Sequence, residues 1–330
     1  MPFFNELWQY DMWADEVFVL PALLGTGGFF LLAFLCGGLP ALGAESAYLR
    51  QRKAFYDKYA AQFSGTVLFA WCAALVVFLP TAVRFLPLPP APPTLSELAD
   101  PRRAAYTVPA LLALLSPLLW LAYIRSRAAL HRHRTAHLLI GLSALLSGLF
   151  LFSLLTLLLF FIQHPYISML LDVDPGAALP AALREFAGSA ALWPPVAYFF
   201  LNGPAAAAAL TRVRLILRRN RDDYGRDYYV FAARAAARSA LFFTVAATAS
   251  AVLLFLSLSA STAPEFRQMP ETGLLLAAGG LPIVCALLHL TCVLDANPLR
   301  RKAGAFGACF LQLAAFCLQL TLLINTYPAA

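Results

Sequence analysis

Six polar side chains lie inside otherwise apolar segments of this sequence and could act on a bound molecule. They are amides and imidazoles: Asn202, Gln312, Gln319, His137, His164 and His289. Gln312 and Gln319 are seven residues apart, which places them on one face of a helix. A few such donors in an apolar cleft could hold a small ligand by its oxygen atoms. The alternative is that each of them only hydrogen-bonds to a neighbouring helix.

Two of these histidines, His137 and His289, come at comparable depth in their apolar segments. A b-type haem needs two axial ligands at similar depth on facing helices, so the pair is a candidate for haem, although haem is not the favoured interpretation. The six cysteines all fall in apolar segments and form no CxxC motif or Cys/His cluster. We therefore expect neither a disulfide framework nor a metal centre held by cysteines.

The chain that must position these residues is strongly apolar. Of its 330 residues, 61% are hydrophobic and 12% are charged, and the mean hydropathy is +0.72. A soluble domain carries about twice that charged fraction, so the composition indicates an integral membrane protein. Apolar segments of roughly 20 residues, the length that crosses a bilayer core, recur along the chain. They predict an all-α polytopic fold with eight transmembrane helices at about 17–41, 63–83, 106–124, 137–162, 190–210, 239–261, 273–294 and 303–324.

The middles of the eight predicted spans contain no Asp, Glu, Lys or Arg. Ionisable residues inside spans are typical of proton relays and ion-coupled carriers. Their absence from the predicted spans argues against those classes of protein.

Basic residues alternate between the two sides of the predicted membrane domain. The connections after spans one, three, five and seven contain four, four, eight and three Lys or Arg residues, against five in total on the other side. Arginine-rich connections stay in the cytoplasm, so both termini are predicted to be periplasmic, in a bacterial inner membrane. Topology also accounts for the net charge of +7, so we expect membrane lipid and not nucleic acid as a partner.

The longest basic segment, 211–239, is similar to an earlier one, 49–60. A shift of 168 residues aligns the two and superposes Tyr56 on Tyr224. The same shift aligns a second pair of basic stretches, 132–134 and 300–302. The pattern predicts a duplication in parallel orientation, with a first four-helix bundle over 1–168 and a second over 169–330.

The segment 192–219 combines an aromatic entry, a turn of the Y-x-F-L-x-G type and a run of small residues before a basic loop. The positions are Trp193, Tyr198, Phe200, Leu201, Gly203 and 205–209. In these features it resembles the start of a repeat in NrfD-like membrane subunits of the polysulfide-reductase type. The resemblance implies eight spans in two four-helix bundles and periplasmic termini. It also implies an anchor that handles quinone without haem and exchanges electrons with an iron–sulfur partner.

Together these observations favour a quinone-interacting membrane subunit of a bacterial respiratory electron-transfer complex, without its own metal centre. Menaquinone or ubiquinone would bind transiently, and the partners would be iron–sulfur or multihaem electron-transfer subunits. The candidate quinone ligands are Asn202, Gln312, Gln319 and His164, with His289 if the pocket lies on the cytoplasmic side. No residue is predicted to be catalytic. We therefore expect the chain to be a subunit of an oxidoreductase complex and not an enzyme by itself.

Three alternatives stay open. The first is a transporter or permease for a neutral or lipid-like solute, which the parallel repeat and the helix-weakening triplet Asn202–Gly203–Pro204 would suit. The second is a b-type membrane cytochrome related to quinol oxidases. The third is a purely structural anchor that docks enzyme subunits.

Overall fold

The structure, a computed structural model, describes residues 19–85, 101–130, 132–163, 184, 187–188, 193–221, 224–261 and 272–326. Every regular element within these ranges is helical, which confirms the predicted all-α class for this part of the chain. The α-helices are α1 Val19–Leu35, α2 Leu39–Gln51, α3 Ala54–Phe85, α4 Pro101–Ala129, α5 Arg134–Gln163, α6 Trp193–Arg218, α7 Arg226–Ser261, α8 Thr272–Leu294 and α9 Lys302–Thr326. A single turn of 3-10 helix, Pro298–Arg300, precedes α9.

Seven segments of these helices are long and apolar enough to cross a membrane, so the chain is a multi-pass membrane protein. They are Leu23–Gln51, Ala54–Phe78, Val108–Ala129, Arg134–Leu157, Arg226–Leu253, Ala277–Leu294 and Lys302–Leu322. The remaining predicted span, 190–210, falls on α6. This helix is continuous, but because of its alanines, prolines and arginines no stretch of it is as apolar as the seven segments above.

The first span reaches further than its predicted end at residue 41. After a turn at residues 36–38 the chain continues as α2, and α1 and α2 together form the span Leu23–Gln51. Charged and polar residues after residue 44 read as the start of a loop in the sequence, yet Glu45 is only 1% exposed. Arg212 in α6 is also 1% exposed. The buried interior therefore includes these two ionisable side chains, both outside the spans that were predicted from hydropathy.

Helices α1 and α6 cross through small residues. A Cβ atom on Gly203 would run into the carbonyl oxygen of Leu32, and one on Gly37 would lie 2.6 Å from Cβ of Ala207. The alanines at 205–209 are buried to 1% exposure or less. Small residues of this kind let two helix backbones approach closely. Helix α6, which is not among the seven strongly apolar segments, is therefore a core helix, and it packs on α1, α3, α7 and α9.

The triplet Asn202–Gly203–Pro204 does not interrupt α6, which is helical from Trp193 to Arg218. The glycine serves the crossing with α1, because its missing side chain is what admits the carbonyl of Leu32. The unwound segment that would favour a transporter is therefore not present at this position.

The predicted basic connections meet at one end of the bundle. Asp57 at the start of α3 forms ion pairs with Arg127 and Arg134, which joins the ends of α4 and α5 to the first connection. Arg234 of α7 donates to the carbonyl oxygen of Asp295 at 2.7 Å. The two halves touch here as well, where Tyr228 donates to Oε1 of Gln62 at 2.6 Å and Lys58 lies 4.7 Å from the ring centroid of Tyr224. These contacts agree with the expectation that the basic connections share one side of the membrane.

Candidate functional site

Three of the predicted residues, Asn202, Gln312 and Gln319, lie around one cleft between α6, α7, α8 and α9. This polar cleft is lined by Tyr198, Asn202, Thr244, Ala247, Thr248, Pro282, Gln312, Ala315 and Gln319. Tyr198 and Asn202, Thr244 and Thr248, and Gln312, Ala315 and Gln319 are three, four or seven residues apart within their helices, so each set shares a face. The space in which the centre of a water-sized molecule fits is ≈ 10 Å³. In this conformation it has room for about one water.

A chain of hydrogen bonds fixes part of the cleft lining. The hydroxyl of Tyr198 donates to Oε1 of Gln319, and Nε2 of Gln319 donates to the carbonyl oxygen of Ala278 at 2.9 Å. That carbonyl lacks its usual helical donor, because the residue four positions later is Pro282. Nδ2 of Asn202 donates to the carbonyl oxygen of Tyr198 at 2.9 Å. The side chains of Tyr198, Asn202 and Gln319 therefore shape the cleft through bonds within the protein.

Two atoms of the lining have no hydrogen-bond partner in the described part of the chain, Nε2 of Gln312 and Oγ1 of Thr244. Both side chains are buried, each with 4% of its surface exposed. Oε1 of Gln312 faces Sγ of Cys285 at 3.9 Å, which leaves the amide nitrogen as the unpartnered group. A buried donor without an acceptor costs roughly 1–3 kcal/mol. The polar cleft is therefore suited to a molecule that brings acceptor oxygens.

His289 does not line the polar cleft. It lies beside it in α8, where its Nδ1 accepts a hydrogen bond from Nη1 of Arg212 at 3.3 Å. Both side chains are fully buried, at 0% and 1% exposure. His164, the fifth candidate ligand, lies outside the described residues.

A separate buried group, the Glu45 cluster, consists of Glu45, Tyr123 and His137 in the first half. The carboxylate of Glu45 accepts from the hydroxyl of Tyr123 and pairs with Nδ1 of His137. Nε2 of His137 lies 2.9 Å from the carbonyl oxygen of Tyr123 and donates to it, because a carbonyl oxygen can only accept. His137, which the sequence places at the edge of a span, is 0% exposed.

The arrangement does not fit a haem held by His137 and His289. Both ring nitrogens of His137 are engaged within the Glu45 cluster, so this side chain has no nitrogen left for iron. Its helix, α5, packs mainly on α4, whereas α8 packs on α7 and α9. Within the described ranges, no three His, Cys, Asp or Glu side chains are placed to hold a metal ion. The six cysteines are free thiols.

Sequence reasoning missed four functional candidates that the structure adds: Tyr198, Thr244, Thr248 and Arg212. Three of them carry a recognisable signal, because Thr244 and Thr248 are four residues apart in an apolar helix, and Tyr198 is four residues from Asn202. Arg212 lies six residues inside the end of α6, where hydropathy alone suggests a loop. In comparisons with known proteins, no protein-family model, no curated protein and no solved structure matches this chain.

Proposed function

We propose that this chain is a quinone-binding membrane subunit of a bacterial respiratory electron-transfer complex. The observation that carries the proposal is the polar cleft, in which two buried donors, Gln312 Nε2 and Thr244 Oγ1, have no partner in the described residues. A quinone is an apolar ring with two carbonyl oxygens, and it reaches a protein through the lipid. An apolar cleft with a few well-placed donors is the usual form of a site for such a molecule.

Each side chain of the cleft has a distinct part in this proposal. Gln312 and Thr244 would donate to the two carbonyl oxygens, while Ala247, Pro282 and Ala315 would line the ring. A bound quinone would supply two-electron, two-proton chemistry. Neighbouring subunits would supply the electrons, as the resemblance to NrfD-like subunits implies.

The ring of a quinone is larger than the water-sized space now present, so binding requires the lining helices to separate. Helix α8 is the element best suited to move. Pro282 interrupts its backbone hydrogen bonding, and a Cβ added at Gly279 or Gly280 would meet nothing within 4 Å. Because no neighbour packs against these two glycines, α8 can shift toward that side without creating clashes.

The orientation and partners belong to the same proposal. The protein would lie in a bacterial inner membrane with its basic connections in the cytoplasm and both termini in the periplasm. Iron–sulfur or multihaem subunits would dock on it. Support for two parallel four-helix repeats comes from one pair of helix starts, since α5 begins at Arg134 and α9 at Lys302, 168 residues later. The crossing of α1 with α6, the first helices of the two repeats, also fits a pseudo-symmetric pair.

Binding of a soluble quinol analogue tests the proposal. We expect wild-type protein in detergent to bind the analogue saturably, and the double variant Gln312→Leu, Thr244→Val to bind it at least about tenfold more weakly. Each lost hydrogen bond contributes about 0.5–1.5 kcal/mol, and tenfold in affinity corresponds to about 1.4 kcal/mol. Quenching of the protein's tryptophan fluorescence provides the titration.

A matched control is Ser143→Ala, because this serine is exposed on α5 and bonds only to the carbonyl of Leu139 in its own helix. The control should bind the analogue as the wild type does. Failure of the wild type to bind any quinol analogue, alone or with co-purified partners, would overturn the proposal. Equal binding by the double variant would remove the polar cleft as the site.

A further inference from the structure

Arg212 and His289 form a buried pair that has more donors than acceptors. A guanidinium has only N–H groups, so in the 3.3 Å contact between Nη1 of Arg212 and Nδ1 of His289 the imidazole must accept. The hydrogen of the neutral ring is then on Nε2. Neither that atom nor Nη2 of Arg212 has a hydrogen-bond partner of good geometry within the described residues, although Gln312 lies near His289 and the thiol of Cys292 lies near Arg212.

The charge of Arg212 is not compensated either. Among the described residues the ion pairs are those of Asp57, Glu45 and Asp295, and none of them includes Arg212. Its electrostatic neighbours are the thiols of Cys285 and Cys292 and, as a like charge, Arg301. A buried cation without a counter-charge is strongly unfavourable inside a membrane protein, where ionisable groups are normally paired.

The Glu45 cluster shows how this chain treats a buried charge when the partner is part of the protein. There the carboxylate receives both a tyrosine hydroxyl and an imidazole. Arg212 is equally buried, yet no carboxylate among the described residues is paired with it. It lies six residues from the end of α6, at the end of the bundle where the basic connections gather, and a concentration of positive charge there attracts anions.

We propose that Arg212 and His289 form a binding site for a small inorganic monoanion of the size of chloride. The anion would accept a charge-assisted hydrogen bond from Nη2 of Arg212 and neutralise its charge, with Nε2–H of His289 as the second available donor. Neither residue lines the polar cleft, although His289 lies next to Gln312, which does. The inference stands whether or not the cleft binds quinone.

Chloride-dependent thermal stability tests the site. Purified wild-type protein should show a melting temperature that rises with chloride and saturates, compared with gluconate at equal ionic strength. In Arg212→Met the rise should disappear, because the cation that holds the anion is gone. In gluconate this variant should melt no lower than the wild type, since it no longer buries an unpaired charge.

The control is Arg219→Gln, which removes an exposed arginine just beyond the same helix end and should keep the full response to chloride. Arg212→Gln provides a second variant if the methionine variant is not obtained folded. It should raise the half-saturating chloride concentration at least about tenfold, because a hydrogen bond to a charged group contributes about 1.5–3 kcal/mol. If the melting temperature of the wild type does not change with chloride, the proposal is wrong. That result is expected if water alone hydrogen-bonds to Arg212. An undiminished chloride response in both Arg212 variants would overturn it too.

Discussion

Glu45→Ala is expected to lower the free energy of unfolding by about 3–5 kcal/mol, the usual effect of removing one partner from a buried ion pair. The variant leaves the hydroxyl of Tyr123 and Nδ1 of His137 without their acceptor, in a region where neither is exposed to water. It also releases α2 from α4 and α5, which the cluster joins. The measurement is the midpoint of thermal unfolding in detergent, monitored as the loss of monodisperse protein.

Glu45→Gln is the informative partner variant and should lose far less stability. Its amide oxygen can accept from Tyr123, and its amide nitrogen can donate to Nδ1 of His137, because Nε2 of that ring already donates to a carbonyl. An exposed ion pair gives the outer control: Asp295→Asn, at the contact with Arg301, should change the midpoint little. If Glu45→Ala has the same unfolding midpoint as the wild type, the Glu45 cluster does not stabilise the first half.

Gly203→Ala should cost about 1–3 kcal/mol, the usual penalty for overpacking a close contact. The added methyl group would run into the carbonyl oxygen of Leu32, which belongs to the backbone of α1 and cannot rotate away. Helices α1 and α6 would have to separate at the crossing between the two halves. The same thermal measurement detects the loss.

The control for this substitution is Gly280→Ala in α8, where a Cβ atom meets nothing within 4 Å. There the change should be neutral or stabilising by up to about 1 kcal/mol, because alanine favours a helix over glycine. Equal stability of the two variants would contradict a close crossing of α1 with α6.

The sequence was sufficient to predict the helical membrane class, because long apolar runs between basic connections leave few other solutions. It failed at the ends of helices, where hydropathy treats a charge as a loop signal. Glu45 and Arg212 both lie inside helices, and each is buried for a reason that depends on distant residues, such as Tyr123 and His137 for the carboxylate. No window of neighbouring residues carries that information.

The candidate site was predictable in part for a related reason. Polar residues in an apolar helix attract notice one at a time, and Asn202, Gln312 and Gln319 were found in this way. Their meeting in one cleft depends on how α6 and α9 rotate against each other, which periodicity does not determine. The threonines were missed because Thr244 and Thr248 are common residues of membrane helices that usually bond to their own backbone.

The measurement that tests the central claim most directly is photolabelling of the purified protein with an azido-quinone, followed by mapping of the labelled peptides. The account predicts saturable labelling that an unlabelled quinol analogue competes away, located in α6–α9 around Tyr198, Thr244 and Gln312. No saturable label, or a competed label confined to the helices of the first half, would contradict it.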